Sequence, residues 1–285
     1  MHPKEAALHN YMSPLQKYAM PVQSTSIDDK SDQTRRRIND FAKRAFRDMA
    51  DRDYIAARLA FRAGLMPQGL WAAQQAFEKY LKYILLVNRI PAKKVKHDIA
   101  AAFGLLDDLP FKIELSERGR KFFDHVAAYG PERYLSTSYF VKGFVLLDLD
   151  CVVWDLRRYC QVLNVFDGEL PPDDQQMLDQ AHEALKNIDQ HSPHKFRLGA
   201  GLLEKILTKK DHPARSALMW RNPFYCTKAR KTVIAQDEWY AENAPLYLYP
   251  EMLDEVEKYV YLSKPLIKAY RAHLVKVTAD PSQRP

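Results

Sequence analysis

Residues 53–82, DYIAARLAFRAGLMPQGLWAAQQAFEKYLK, contain two helical patterns with a break between them. Apolar residues recur at three- and four-residue steps on both sides of the break, which is the period of an α-helix. Gly64 is suited to end the first helix, and Pro67 is suited to the first turn of the second. Glu78 and Lys82 stand one turn apart in the order that favours an ion pair. The stretch therefore predicts two consecutive helices joined by a short turn.

Similar patterns continue on both sides of this stretch. The apolar steps from Ile38 to Met49 predict a preceding helix, which is either separate from the next one or continuous with it. Asp98 and Ser116 are suited to cap helices at about 99–106 and 117–128, and an apolar helix is expected at about 145–163. Only nine of the 285 residues are glycine, which also favours helices. The sequence predicts an all-α fold.

Proline and glycine positions predict the domain organisation. The run from Phe166 to Asp174 contains a glycine and a Pro-Pro pair, which is strong punctuation between two helical regions. The stretch 221–249 is predicted to be irregular, with a short strand around Thr232 to Ala235. The predicted parts are a flexible segment 1–32, a helical bundle 33–165, a linker 166–174, an additional C-terminal helical region 175–277 and a tail 278–285. Within the C-terminal region, helices are expected at about 174–189, 199–209, 213–220, 250–262 and 264–276.

The composition is that of an ordinary globular protein. Hydrophobic residues make up 47% of the chain and charged residues 28%, which excludes a disordered chain. The apolar runs are too short to span a bilayer, and no apolar stretch follows the N-terminus as in a secretory signal. Three cysteines cannot all form pairs, and no CxxC occurs. These features predict a cytoplasmic protein that does not enter a membrane.

Basic and acidic residues are segregated along the chain, whose formal net charge is +7. Residues 195–231 hold ten Lys and Arg against two Asp and Glu, whereas residues 237–257 hold seven acidic residues and no basic one. Such segregation suits a surface for an anionic partner. Pairing between the blocks within one chain, or across two subunits, is the alternative.

The block from Ala73 to Lys82 begins Ala-Gln-Gln-Ala-x-Glu-Lys and follows a helix that ends in Ala63 and Gly64. A basic link and the start His97-Asp98-Ile99 come next. This arrangement resembles the HEPN domain family over residues 40–163. The resemblance implies a compact bundle of four or five helices, usually a homodimer. Many members are RNases of toxin–antitoxin, anti-phage or RNA-processing systems, others bind nucleotides or only mediate contacts, and some pair with a separate nucleotidyltransferase chain.

Catalytic members of this family carry an Arg followed by four to six residues and a His. In a metal-free RNase, His serves as acid or base and Arg stabilises the charge on the phosphorane. Arg133 and Tyr134 lie where the family has a loop before the last helix, so the resemblance implies that Arg133 contacts phosphate and Tyr134 supports or stacks, although no His follows within six residues. The alternative for these two residues is a structural loop anchor.

Arg120 and His125 have four residues between them, which is within the spacing of the family motif. On a regular helix Arg120 and His125 point about 140° apart, which is poor for a shared site within one chain. His125 is the acid or base expected near Arg133 if a dimer brings it there. The alternative is a solvated helix face.

Other kinds of chemistry find little support. Asp189, His191 and His194 lack a second ligand cluster at a known spacing, so no metal is predicted. Asp148 and Asp150 would diverge by about 200° on a helix, unlike the paired carboxylates of a nucleotidyltransferase. No dinucleotide-binding or Walker-type loop is present, so no cofactor is expected.

The second basic block interleaves cations with aromatic residues, a pattern that suits phosphate contact and base stacking. A basic surface over an ordinary aromatic core is the alternative. The predicted binding residues in this block are Arg215, Trp220, Arg221, Lys228, Arg230 and Lys231.

Taken together, the patterns predict a protein that binds or cleaves RNA or a nucleotide, in a toxin–antitoxin or defence setting and as a homodimer. A metal-independent endoribonuclease is the enzymatic form of this prediction. An antitoxin or a nucleotidyltransferase chain is the protein partner that the family resemblance implies. The alternative is a non-catalytic interaction module that binds a protein partner through its C-terminal region.

Overall fold

The computed structural model describes residues 27–130, 135–164, 172–226, 238–280 and 282. The chain divides into two units, residues 1–38 and 39–285. The described residues of the first unit belong to helix α1, Ile27–Ala42. The second unit holds the other described helices and strands, and the features that follow belong to it.

The first part of the second unit is a helical bundle. A π-helical turn, Lys43–Arg47, leads into it, and two 3₁₀ turns, Lys93–Val95 and Leu105–Asp108, lie before and after its shortest helix. The helices of the bundle are α2 (Asp48–Arg62), α3 (Met66–Val87), α4 (Ile99–Gly104), α5 (Glu117–Tyr129) and α6 (Val145–Arg157).

Helix α3 is the centre of this bundle. It contacts α2, α4, α5 and α6, and its buried residues lie on every side of the helix. A helix that is apolar around most of its circumference is stable only when neighbours cover it. Phe77 of α3, for example, stacks on Phe123 of α5 at a centroid distance of 5.8 Å. The prediction of an all-α fold is confirmed.

The residues predicted to start and stop helices do so. Gly64 ends the turn after α2 with a positive φ of 74°, which glycine adopts without steric cost, and Pro67 lies in the first turn of α3. The Asp98 side chain accepts a hydrogen bond from the Ala101 amide at 2.9 Å. The Ser116 hydroxyl accepts one from the Gly119 amide at 3.2 Å. These caps satisfy amides that the first helical turn leaves without partners.

Residues 198–225 pack onto the bundle. Leu203, Leu218 and Tyr225 belong to the same buried core as α2, α3 and α6. Residues beyond 243 form a smaller buried cluster of their own, made by Ala244, Leu246, Leu253 and Tyr270. The helices after the bundle are α7 (Pro172–Lys186), α8 (Leu202–Thr208), α9 (Arg215–Met219), α10 (Pro245–Leu248), α11 (Leu253–Val256) and α12 (Lys264–Ala279).

A two-stranded antiparallel ribbon interrupts the helical fold. Strand β1, Tyr139–Gly143, pairs with β2, Glu238–Glu242, with Lys142 opposite Trp239 and Phe140 opposite Ala241. No strand was predicted at residues 139–143, since their partner strand lies about a hundred residues further along the chain. The strand expected around Thr232 to Ala235 falls outside the described residues.

Helix α6 ends at Arg157, earlier than the expected end near Leu163. The Arg47 side chain donates a hydrogen bond to the Cys160 carbonyl at 3.4 Å, so this carbonyl is occupied by a side chain and not by a further helical turn. Within the described parts of the chain, no helix is both long and apolar enough to cross a membrane.

Candidate active site

A cleft of about 440 Å³ lies where α5, β1 and the first turn of α6 meet. Helix α5 forms one wall and strand β1 the other. The lining combines cationic, acidic and aromatic side chains with one histidine. The residues that line it are Glu117, Arg118, Lys121, Phe122, His125, Phe140, Val141, Lys142 and Asp148.

Arg118, Lys121 and His125 face the cleft from one side of α5. Arg118 and His125 are seven residues apart, which is two helical turns and an angular offset of about 20°. Helix geometry therefore places the guanidinium and the imidazole on the same stripe, with Lys121 between them.

The N-terminus of α5 is fixed on α6 by Asp155. Its Oδ2 accepts hydrogen bonds from the Ser116 amide and the Ser116 hydroxyl, both at 2.7 Å. A Cβ at Gly119 would lie 2.7 Å from the same oxygen, so this close approach requires glycine. The anchor holds the stripe of α5 in register with the start of α6.

His125 is partly buried among aromatic rings. The centroids of Tyr129 and Phe140 lie 4.8 and 5.3 Å from the imidazole centroid. Burial lowers the pKa of His125 below its ordinary value of about 6.5, and the backbone of Phe140 partly offsets this effect. Nε2 is buried and has no hydrogen-bond partner. The imidazole is therefore mainly neutral at pH 7 and has an unused ring nitrogen.

The cations of the cleft differ in how they are paired. Arg118 binds Asp148 at 2.6 Å and lies over the Phe144 ring at 5.4 Å, and Lys121 binds Glu117 at 2.7 Å. Burial raises the pKa of Asp148, while Arg118 opposes this shift. Lys142 is exposed and has no carboxylate within ion-pair distance in the described part of the chain.

The structure does not bring Arg120 together with His125. Arg120 interacts with Asp124 at 3.4 Å and lies over the Phe103 ring at 4.9 Å, and it is absent from the cleft. The divergence expected for a four-residue gap on a helix explains this placement. Arg133 and Tyr134 lie outside the described residues.

Arg118 is a cleft residue that the sequence analysis missed. Six residues separate Arg118 from His125. The family motif has four to six residues between its Arg and its His, so this spacing fits. The helical period was the signal that could have found it, because only this spacing returns to the same face after two turns.

The predicted basic-aromatic surface is brought together only in part. The guanidinium carbons of Arg62 and Arg221 lie 4.4 and 4.6 Å from the Trp220 ring centroid. Arg215 instead donates a hydrogen bond to the Leu207 carbonyl at 3.0 Å and so supports α8. The other three predicted residues, Lys228, Arg230 and Lys231, lie outside the described residues.

Asp148 and Asp150 point to different surroundings, as expected for a helix. Asp148 lines the cleft, whereas Asp150 is fully buried and binds Arg58 and the Tyr54 hydroxyl. Asn222 donates to the same hydroxyl at 2.7 Å, which ties the segment after α9 to the bundle. Across the described ranges, no cluster of His, Cys, Asp and Glu is arranged to hold a metal.

The block from Ala73 to Lys82, which carries the family resemblance, forms hydrogen bonds that stabilise the bundle. Glu78 accepts contacts from Lys82 at 2.6 Å and from the His97 ring at 3.0 Å. Gln74 donates to the His97 carbonyl, also at 3.0 Å. These bonds hold the link before α4 against α3.

Comparison with known families supports the fold. Residues 44–148 match the HEPN domain family, a range that includes all nine residues that line the cleft. No curated protein and no solved structure matches the chain. HEPN domains are generally associated with RNA binding and nuclease activity, and they often dimerise. The resemblance to the HEPN domain family is therefore confirmed for residues 44–148.

Proposed function

We propose that the protein is a metal-independent endoribonuclease and that the cleft between α5 and β1 is its active site. The observation that carries the proposal is the placement of Arg118 and His125 on one stripe of α5, lining one cleft. Their spacing also fits the motif of catalytic HEPN members. Arg133 remains a proposed phosphate contact, and Tyr134 a proposed support for it.

The chemistry requires a base and a fixed cation. His125 takes the proton of a ribose 2′-hydroxyl, whose oxygen attacks the adjacent phosphorus. Arg118 stabilises the negative charge that develops on the phosphorane oxygens. The bond from phosphorus to the 5′-oxygen breaks, and this oxygen takes a proton from water. The products are a 2′,3′-cyclic phosphate and a 5′-hydroxyl.

The test is cleavage of mixed-sequence single-stranded RNA and of tRNA by purified protein in the presence of EDTA. We expect His125→Ala to slow cleavage by roughly 100- to 10,000-fold. We expect Arg118→Ala to slow it by roughly 100- to 1,000-fold.

Arg120→Ala is the matched control, because Arg120 is the same residue type on the same helix but outside the cleft. It should leave cleavage unchanged. Equal cleavage by wild type and His125→Ala would contradict the proposed site. Loss of cleavage in Arg133→Ala with RNA binding retained would add Arg133 to it.

Binding without cleavage is the second candidate function. It is favoured by the enclosure of His125 Nε2, which has no exposed surface in this conformation. RNA binding that weakens steeply from low to moderate salt, with no cleavage by wild type, would support this function. Absence of binding at low salt would leave the non-catalytic interaction module that binds a protein through its C-terminal region.

We also propose a homodimer, and an antitoxin or a nucleotidyltransferase chain as protein partner. Exposed apolar side chains near α11 support an interface there, since Tyr259 and Tyr261 are 79% and 90% exposed. Sedimentation of the purified chain over a range of concentrations tests the dimer, and a mass that stays that of one chain would contradict it.

A further inference from the structure

The two faces of the β1–β2 ribbon differ in composition. Side chains alternate along a strand, and residues directly opposite each other share a face. The pairing therefore places Phe140, Lys142, Trp239 and Ala241 on one face, the outer face of the ribbon. Phe140 is 46% exposed and Trp239 is 75% exposed, so this face presents two aromatic rings to solvent.

The opposite face of the ribbon is internally satisfied. Tyr139 and Tyr240 both donate their hydroxyl groups to Glu242 Oε2, at 2.9 and 2.7 Å, and their rings stack at 5.9 Å. The Glu242 carboxylate therefore lies on the inner face of the ribbon. The outer face carries aromatic rings together with the Lys142 amine.

The outer face continues into the cleft. Phe140 and Lys142 belong to both, since they line the cleft next to His125. Trp239 is directly opposite Lys142 and is a diagonal neighbour of Phe140, a relation that corresponds to about 7–8 Å between positions. An RNA strand whose phosphate binds the cationic side chains of the cleft would run past the rings of Trp239 and Phe140.

We propose that the outer face of the ribbon is a stacking platform that binds two unpaired bases of single-stranded RNA, one on Trp239 and one on Phe140. This inference rests on the proposed function and specifies the substrate class. Exposed aromatic rings bind any unpaired base through its π-face, while a nearby cation contacts the backbone. Bases in a duplex are already stacked on each other and do not reach the platform. Lys142 binds the phosphate between the two bases.

The test measures RNA affinity in the His125→Ala background, so that cleavage does not consume the probe. The probe is a short fluorescently labelled single strand that contains 2-aminopurine. Trp239→Ala should weaken binding about tenfold, and Trp239→Phe should keep most of the affinity because it keeps a ring. Phe41→Ala removes an exposed aromatic ring of helix α1, which belongs neither to the ribbon nor to the cleft, and should have no effect.

Salt dependence separates stacking from charge. Trp239→Ala should weaken binding by the same factor at every salt concentration, because stacking releases no counterions. Lys142→Ala should reduce the slope of the logarithm of affinity against the logarithm of salt by about one. Quenching of 2-aminopurine on binding to the protein with Trp239 reports stacking directly, even where Trp239→Ala fails to fold.

The outcomes distinguish this inference from the proposed function. Unchanged affinity in Trp239→Ala, no quenching of 2-aminopurine, or equal affinity for duplex and single strand would overturn the platform. Loss of cleavage in His125→Ala would still support the active site in that case. Weaker binding by Trp239→Ala together with equal cleavage by wild type and His125→Ala would support the platform and overturn the site.

Discussion

His125 lies in surroundings that favour its neutral form. A histidine whose native pKa is lowered is in its basic form above that pKa and loses this form as the pH falls through it. If the proposed RNA cleavage uses His125 as its base, we expect the acidic limb of kcat/KM to lie below about pH 6.5.

Tyr129→Ala would remove a ring that packs on His125 without lining the cleft. Greater hydration of the imidazole should move the acidic limb upward, towards its ordinary position. The measurement is kcat/KM as a function of pH for wild type and Tyr129→Ala. A wild-type limb at or above the variant's limb would contradict the assignment of His125 as base.

The same lowered pKa affects stability. The unfolded chain takes up a proton on His125 before the native chain does, so the free energy of unfolding falls as the pH falls from about 6.5 towards the native pKa. A His125→Phe variant has no such group, and its stability should lose this part of the pH dependence. Urea unfolding at closely spaced pH values measures the difference.

Gly119 is a position where one methyl group should be costly. Its Cβ would lie 2.7 Å from Asp155 Oδ2 and 2.9 Å from the Ser116 hydroxyl, which are the groups that anchor α5. We expect Gly119→Ala to lower the free energy of unfolding by about 1–3 kcal/mol. Gly104→Ala is the control, because a Cβ there meets nothing within 4 Å. Equal stability of the two variants in urea unfolding would contradict the role of this close approach.

At the scale of elements, buried ion pairs connect the bundle to residues 198–225. Arg157 of α6 binds Asp51 of α2 at 2.7 Å and Glu204 of α8 also at 2.7 Å. Asp51 accepts a further hydrogen bond from the Tyr80 hydroxyl at 2.7 Å. Removal of one member leaves the others charged in a site of low polarity, which destabilises far more than the intact network stabilises.

Glu204 should report this network through pH. Burial would raise its pKa, but the charge and hydrogen bonds of Arg157 outweigh burial and lower the pKa to about 2. The unfolded value is about 4.3, so the stabilisation is complete above that pH and is lost as the pH falls towards 2.

We expect Glu204→Gln to lower the free energy of unfolding at pH 7 by about 1–3 kcal/mol. The difference in the free energy of unfolding between wild type and variant should disappear as the pH falls from about 4.3 to about 2. Glu114→Gln changes an exposed carboxylate and should leave the urea midpoint unchanged. A gap that stays constant down to pH 2 would show that charge at Glu204 is not the source of the stabilisation.

At the scale of the whole molecule, the helical bundle and residues 198–225 share one core. Arg58 is fully buried and donates to the Ala217 carbonyl at 3.0 Å as well as binding Asp150. A chain that ends at residue 164 would lack Asn222 and Ala217, and so would leave Tyr54 and this charged pair without these partners. The predicted boundary at 166–174 stays a prediction, and truncation tests it.

We expect the fragment 27–164 to bind a hydrophobic dye and to lack a cooperative thermal transition. A fragment that ends at residue 243 is the matched comparison, because it keeps the shared core and β2 and loses only the smaller cluster beyond. It should unfold cooperatively at a somewhat lower temperature. Cooperative unfolding of the shorter fragment would instead support an independent bundle.

The helices and their ends follow from local physics, so the sequence by itself determined them. Four residues start or end helices through contacts within one turn of their own positions: Gly64, Pro67, Asp98 and Ser116. The apolar residues at helical steps around Phe77 indicate which helix must be buried. His125 was singled out from its residue type and its place in a helical pattern, which are local features, and its role in a site stays a prediction.

Only the tertiary structure decided which distant residues meet. Three contacts join positions that are far apart in sequence: Lys142 with Trp239, Arg58 with Asp150, and helix α8 with helix α6. No short-range period encodes such contacts, since they depend on how the helices pack around α3. The position of β1 likewise decided that the face of α5 with Arg118 and His125, and not the face with Arg120, lines the cleft.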